Sequence, residues 1–139
     1  AIDGPAHGKS DGRKTEIMEF AKAIDTVYRH EQATAIIAHS FGGVASLYAM
    51  AQGLPNWVLI NIASPTIADE IIKSYLKALK GSERIRQLFK EFIIKKTGKR
   101  FEDFSALAIV KHIPADFHFL LVYDEDDDEV TMEHAHAMK

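Results

Sequence analysis

Two short segments of the chain carry side chains that could do chemistry, a serine between small residues and a run of acidic residues. Ser40 stands between small residues, Ala38 and Gly42–Gly43, after a short β-branched run and before a run of helix formers. Small residues let the backbone turn sharply, so this spacing predicts a strand, a tight turn and a helix, with the Ser40 hydroxyl lifted above the sheet edge. A run of six acidic residues, 124–129, follows an apolar segment, and catalytic groups gather at the carboxyl ends of strands in open α/β sheets. A serine hydroxyl becomes a nucleophile when a histidine takes its proton, and a carboxylate orients such a histidine.

Ser40 also has a purely structural interpretation. Serine is among the preferred N-cap residues of α-helices, because its hydroxyl accepts a hydrogen bond from a backbone N–H of the first turn. The residue stands where a helix is expected to begin, so the spacing alone leaves both the nucleophile and the N-cap open. The flanking strand and helix favour the nucleophile, as do two further motifs.

Apolar patterns predict the elements that must position these residues. Apolar side chains recur with helical spacing from Thr15 to Tyr28, and Thr15 is placed to cap that helix. Three apolar, β-branched runs are typical of buried strands. The strands are expected at Thr34–Ile37, Trp57–Ile62 and Phe117–Tyr123, and a second helix at Val44–Ala51. Strands and helices joined by short links predict a parallel sheet, with its first strand covered on both faces.

Residues 66–112 are expected to form helices without strands. One apolar stripe runs from Ile71 to Leu79, a second from Ile85 to Ile93, and a third short helix is expected near Leu107. Ten of the 17 basic residues of the chain, but only two acidic residues, lie between 73 and 100. Such charge is typical of a solvated face. It is also consistent with a lid whose basic rim favours anionic acyl substrates or an anionic membrane surface.

Three motifs resemble those of the α/β-hydrolase family. The segment Ala38-His39-Ser40-Phe41-Gly42 is similar to the G-x-S-x-G nucleophile elbow, with alanine for the first glycine. Residues 3–12, in the order Asp-x-Pro-x-His-Gly-x-Ser-x-Gly, resemble a structural loop after an early strand of the family, where His7 is expected to bond to backbone. The end of the last strand resembles the family's G-x-x-D-x-x-V, with Asp124 replacing the glycine and Val130 at the apolar position.

The resemblance implies a role for each matching residue. Ser40 falls on the nucleophile and Asp127 on the triad acid, with Asp126 as the alternative acid. The N–H of Phe41 falls on one of the two oxyanion-hole donors. In the family the catalytic histidine follows one further strand, so it is expected outside this chain, because the histidines near the C-terminus follow Asp127 too closely to reach the serine.

The resemblance covers essentially all 139 residues and implies the central part of the fold. We expect one incomplete α/β-hydrolase domain of three layers, with a mostly parallel sheet between helices. Residues 66–112 would be a helical lid insertion, and the family's N-terminal strands and last strand are missing. The implied activity is hydrolysis of a carboxylic ester or thioester of a small acyl substrate through a Ser40 acyl-enzyme, without a cofactor, and weak or absent in this chain. The alternative is a non-catalytic binding or interaction protein on the same scaffold.

Composition argues against several other classes. The chain has no cysteine, which removes thiolate chemistry and disulfides and predicts a reducing, cytoplasmic compartment. A net charge of −3 argues against nucleic acid as a partner, and no apolar run approaches the ~20 residues of a membrane span. No metal is expected, because Glu129 stands where a calcium loop needs glycine and Ala135 where it needs a bidentate glutamate. The sheet edge left by the missing strands predicts self-association.

Overall fold

The computed structural model describes residues 1–139 and shows an α/β architecture with three short strands and six α-helices. The elements are α1 (Ile17–His30), β1 (Ile36–His39), α2 (Phe41–Ala51), β2 (Val58–Ile62), α3 (Ala68–Ala78), α4 (Glu83–Thr97), α5 (Ala106–Ile109), β3 (His118–Val122) and α6 (Met132–His136). Turns of 3-10 helix at Phe101–Phe104 and Val110–His112 flank α5.

The three strands form one parallel sheet in the order β1-β2-β3. Their last residues, His39, Ile62 and Val122, stand in one row across the sheet. The carboxyl ends of all three strands therefore meet at one edge. The predicted parallel sheet is confirmed, and each strand begins and ends within two residues of its expected position.

Helix α2 covers one face of this sheet. Val44 and Leu47 of the helix and Leu59 of β2 are almost fully buried together with Ala38 of β1. Burial of an aliphatic side chain of this size contributes about 1.5–3 kcal/mol, so this layer supplies much of the core. Helix α1 packs along α2, and α5 packs on α2 from another side.

The other face of the sheet is open. Ile37, Leu120 and Val122 are 69%, 55% and 41% exposed, and they alternate along their strands with the residues that face α2. The prediction that the first strand is covered on both faces is therefore wrong, and the third layer expected there is absent from these residues. The physical reason is that α1 makes its main contacts with α2, and no helix covers these three side chains.

One edge of β1 has no strand beside it, since β1 pairs only with β2. An exposed row of backbone N–H and C=O groups can pair with another chain. The unpaired edge agrees with the expectation from the sequence, and self-association through it stays a prediction.

The helices expected between residues 66 and 112 are confirmed as α3, α4 and α5. Ala106 and Ile109 of α5 are buried, whereas none of the 15 residues of α4 is buried. Helix α4 directs Lys90 toward the rest of the chain, where its ammonium lies 2.6 Å from the Asp69 carboxylate and also pairs with Glu102. Ile85, Leu88, Phe89 and Phe92 of the apolar stripe are exposed, whereas Ile93 is half-buried.

Helix α1 begins differently from the prediction. Glu16, and not Thr15, occupies its N-cap position, and no side chain caps the helix by a hydrogen bond. The Glu16 carboxylate instead forms an ion pair with Lys96 of α4. This contact ties the end of α4 to the beginning of α1.

Candidate active site

Ser40 occupies the junction between β1 and α2 in a strained backbone conformation. Its φ is +50° and its ψ is −125°. A non-glycine residue in such a region costs about 1–3 kcal/mol and persists only where neighbouring groups hold it. Its N–H donates to the Ile62 carbonyl at 2.9 Å, and its own carbonyl accepts from the Ser64 hydroxyl at 2.8 Å. The end of β2 thus holds the Ser40 peptide from both sides.

The Ser40 hydroxyl and the Phe41 N–H form no hydrogen bond within the chain. The half-buried Ser40 side chain makes no capping hydrogen bond to α2, so the N-cap interpretation does not describe its hydroxyl. Phe41 is the first residue of α2, and N–H groups of a first helical turn have no partner inside the helix. The Phe41 N–H forms no other backbone hydrogen bond. A free hydroxyl and a free N–H therefore lie side by side.

A close approach of α2 to β2 lies directly beneath the junction. A Cβ atom on Gly43 would lie 1.8 Å from Asn61 Oδ1 and 2.6 Å from Ser64 Oγ, so only glycine fits there. Asn61 and Ser64 are fully buried, and both polar atoms of the Asn61 amide lack a hydrogen-bond partner. Sequence reasoning missed both residues, although a polar residue inside the apolar run of β2 was a visible signal.

Asp127 lies on the loop that follows β3, and its carboxylate is oriented by backbone. Its Oδ1 accepts hydrogen bonds from the N–H groups of Glu129 and Val130, both at 2.8 Å. The Val130 and Glu129 N–H groups hold the pKa of this carboxyl below its ordinary value, and positive charge on His39 or His134 acts in the same direction. The other carboxylate oxygen, Oδ2, makes no hydrogen bond within the chain and is free to accept one.

Asp126, the alternative acid, is arranged differently. Its side chain is exposed, whereas Asp127 is half-buried, and its N–H donates to Asp124 Oδ1 at 2.9 Å in a local turn. Asp127 thus has an oriented carboxylate with one free oxygen, which is what a histidine partner needs, and the choice between the two acids stays a prediction.

His134 is buried, and its Nδ1 is occupied by hydrogen bonds from the backbone. Its Nδ1 accepts hydrogen bonds from the N–H groups of Thr66 at 2.9 Å and Ile67 at 3.2 Å, and its carbonyl accepts from the Thr66 hydroxyl at 2.7 Å. Burial lowers the pKa of His134, so the imidazole is neutral near pH 7. His136, two residues on, is exposed. No hydrogen bond joins any histidine to Ser40 or to Asp127.

The glycine-rich loop at residues 3–12 is held together by its own polar groups. Asp3 Oδ2 accepts from the Lys9 N–H at 2.9 Å, and the Ser10 hydroxyl donates to the Asp3 carbonyl at 2.8 Å. His7 Nδ1 lies 2.9 Å from the Pro5 carbonyl, which agrees with the expected bond to backbone. These residues shape the loop.

Aromatic contacts place this loop beside the serine. The ring of Phe20 in α1 lies 5.6 Å from that of His7 and 5.8 Å from that of Phe41, measured between ring centroids. The loop is therefore connected through one side chain to the residue after Ser40.

A cavity of about 320 Å³ lies at the opposite end of the sheet, near the amino ends of β2 and β3. It is lined in part by Asn56, Trp57, His112 and Phe117. No candidate site residue borders it. Ligands of parallel sheets bind at the carboxyl ends of strands, whereas this cavity lies at the amino ends, away from Ser40.

The chain shows neither a metal-binding cluster nor a membrane-spanning helix. Nowhere do three or more histidine, aspartate or glutamate side chains come together in an arrangement that could hold a metal ion. No helix has both the length and the apolar character needed to cross a membrane.

Comparison with known proteins identifies a similar fold. No protein-family model matches the chain, and no curated protein sequence matches it. The structure is similar to the crystal structure of a lipase-esterase related protein from Clostridium acetobutylicum ATCC 824, with a TM-score of 0.51 and 14% sequence identity. The match covers 95% of this chain and 65% of that chain. At this identity the likeness is one of fold, and it supports the α/β class.

Proposed function

We propose that the protein is a serine hydrolase of the α/β-hydrolase type that cleaves a carboxylic ester or thioester through a Ser40 acyl-enzyme. The observation that carries the proposal is the backbone of Ser40, which adopts a positive φ at a strand-to-helix junction while its hydroxyl makes no hydrogen bond. The similarity to a structure described as lipase-esterase related supports the same class of reaction.

The proposed reaction follows from the position of each group. The Ser40 Oγ attacks the acyl carbonyl carbon as a histidine takes the hydroxyl proton, and the Phe41 N–H donates to the oxyanion that forms. The bond to the leaving group then breaks, and the histidine gives its proton to the leaving oxygen or sulfur. Water, deprotonated by the same histidine, attacks the acyl carbon. The bond to Ser40 Oγ then breaks, Oγ takes the proton back from the histidine, and the acid is released. Asp127 orients the histidine through its free oxygen.

We place the histidine of this proposal outside residues 1–139, because no histidine within them forms a hydrogen bond with Ser40 or with Asp127. A triad without its base retains only the catalysis that the oxyanion hole and binding provide. We therefore propose that these 139 residues react slowly at Ser40, and that a chain supplying the base reacts faster.

A fluorophosphonate probe together with p-nitrophenyl acetate tests the proposal. We expect slow covalent labelling of one residue, lost in Ser40→Ala and retained in Ser74→Ala, which replaces an exposed serine on α3. Labelling that persists in Ser40→Ala would contradict the assignment of the nucleophile. Rapid labelling and turnover that depend on Ser40 would show instead that a histidine of this chain serves as base.

A non-catalytic binding protein on the same scaffold is the second candidate. The observation that favours it is the absence of a histidine hydrogen bond at Ser40, together with the structural contact that occupies Nδ1 of His134. Complete absence of Ser40 labelling, with the fold intact by circular dichroism, would support this second candidate over the hydrolase.

A further inference from the structure

Helix α4 presents an apolar stripe to the outside of the molecule. Ile85, Leu88, Phe89 and Phe92 are 51%, 54%, 41% and 57% exposed. Residues three, four and seven apart lie on one side of a helix, so these four form one continuous surface. Soluble monomers rarely expose large apolar patches unless the patch binds something.

Contacts on the opposite side of α4 hold the stripe in this direction. Lys90, whose side chain is only 21% exposed, pairs with Asp69 at 2.6 Å and with Glu102. The hydrogen bond from Lys90 is the main reason that the pKa values of Asp69 and Glu102 fall below their ordinary values. Arg86 lies on the same side, 3.7 Å from Asp69. These ion pairs therefore fix the orientation of α4, with the stripe exposed to solvent.

The charge around the stripe is strongly positive. Of the ten basic residues between 73 and 100, five are paired with carboxylates. The other five are exposed and form no ion pair: Lys77, Lys80, Arg84, Lys95 and Lys99. Arg84 lies four residues before Leu88, and Lys95 lies seven residues after it. Both therefore flank the stripe on the side of Leu88. The acidic residue on that flank is Glu91, whose carboxylate accepts a hydrogen bond from Gln87.

We propose that this face of α4 docks on an anionic lipid bilayer, with the apolar stripe among the headgroups and Arg84 and Lys95 against lipid phosphates. An apolar stripe flanked by unpaired cations has the charge and shape that bind helices in the plane of an anionic membrane surface. A second copy of the chain fits less well, because the contact would bring two sets of unpaired cations together. Nucleic acid would pair with the cations but would leave the apolar side chains without a partner.

Vesicle sedimentation tests the proposal independently of the serine chemistry. We expect the protein to bind vesicles of phosphatidylglycerol and phosphatidylcholine far more tightly than vesicles of phosphatidylcholine alone, and less tightly as salt is raised. The double variant Arg84→Gln/Lys95→Gln should bind about 25-fold more weakly, since each basic side chain at an anionic surface contributes about fivefold. Its matched control is Lys9→Gln/Lys22→Gln, which removes the same charge from exposed positions elsewhere.

The apolar part of the surface has its own pair of variants. Leu88→Ser/Phe92→Ser should weaken binding on the order of tenfold or more, because the inserted apolar area is lost. Ile37→Ser/Leu120→Ser removes similarly exposed apolar groups from the open sheet face and should bind like the unchanged protein. Every position is exposed, so circular dichroism should show an intact fold.

Four results would overturn the proposal. The first is failure to bind anionic vesicles, and the second is equal binding to neutral and anionic vesicles. The third is an equal loss of binding in the control variants and in the α4 variants. A protein that self-associates through α4, seen as dimers abolished by Leu88→Ser/Phe92→Ser without any vesicle binding, would also count against a membrane and identify a second copy as the occupant.

Discussion

Replacing Gly43 with alanine is a direct probe of the packing beneath Ser40. The added Cβ would lie 1.8 Å from Asn61 Oδ1, and 2.6 Å from both Asn61 Cγ and Ser64 Oγ. Asn61 and Ser64 are both fully buried, so neither can move into solvent to make room. The substitution must therefore push α2 away from β2 or displace the Ser64 hydroxyl from the Ser40 carbonyl.

The expected cost follows from three contributions. Overpacking of a buried site costs about 1–3 kcal/mol, and this overlap is severe enough for the upper part of that range. Loss of the Ser64 hydrogen bond adds about 1 kcal/mol, while the better helix propensity of alanine returns at most about 1 kcal/mol. We expect the free energy of unfolding to fall by about 2–3 kcal/mol, which lowers the Tm of a chain of this length by roughly 6–10 °C.

Gly42→Ala is the matched control, because it makes the same change one residue earlier in α2. Its Cβ would lie 3.8 Å from Phe20 Cζ, an ordinary contact, so its stability should equal or slightly exceed that of the unchanged protein. Urea and thermal unfolding followed by circular dichroism compare the two variants. If Gly43→Ala were as stable as Gly42→Ala, the close approach of α2 to Asn61 would be refuted.

Three further perturbations follow from the structure. Ser64→Ala should lower the free energy of unfolding by about 1–2 kcal/mol and slow probe labelling of Ser40; unchanged labelling would show that the hydroxyl does not hold the nucleophile. Burial lowers the pKa of His134 below its ordinary value of 6.5, so the unfolded chain binds more protons below that pH. The contribution of the neutral His134 to the free energy of unfolding should therefore be fully present above pH 6.5 and should decrease as the pH falls below it. This decrease should be smaller in His134→Asn. Urea unfolding at a series of pH values compares the two proteins. Lys90→Met removes the bridges to two partly exposed carboxylates and should cost about 1 kcal/mol or less, an effect that high salt should shrink in thermal unfolding.

The strand, turn and helix around Ser40 could be predicted because the signals are local. Small residues at Ala38 and Gly42 permit the turn, and the apolar runs on either side have strand and helix character over a few residues each. The same reasoning located all three strands, the helices between residues 66 and 112, and the loop that carries Asp127. Backbone preferences and hydrophobic periodicity are local signals that extend over a few residues, and they are sufficient to predict these elements.

Other features depend on residues that are far apart in the chain, and only the tertiary structure decided them. The Ser64 hydroxyl reaches the Ser40 carbonyl across 24 residues, and His134 reaches Thr66 across 68 residues. The hydrophobic periodicity of α4 predicted that one side of the helix is apolar, but periodicity does not show whether that side packs on the protein or faces solvent. Lys90 pairs with the carboxylates of Asp69 and Glu102, which are 21 and 12 residues away, so the polar side of α4 faces the protein and most of its apolar stripe is exposed. Likewise, the open face of the sheet follows from where α1 packs, which is a contact between elements and not a property of any one segment.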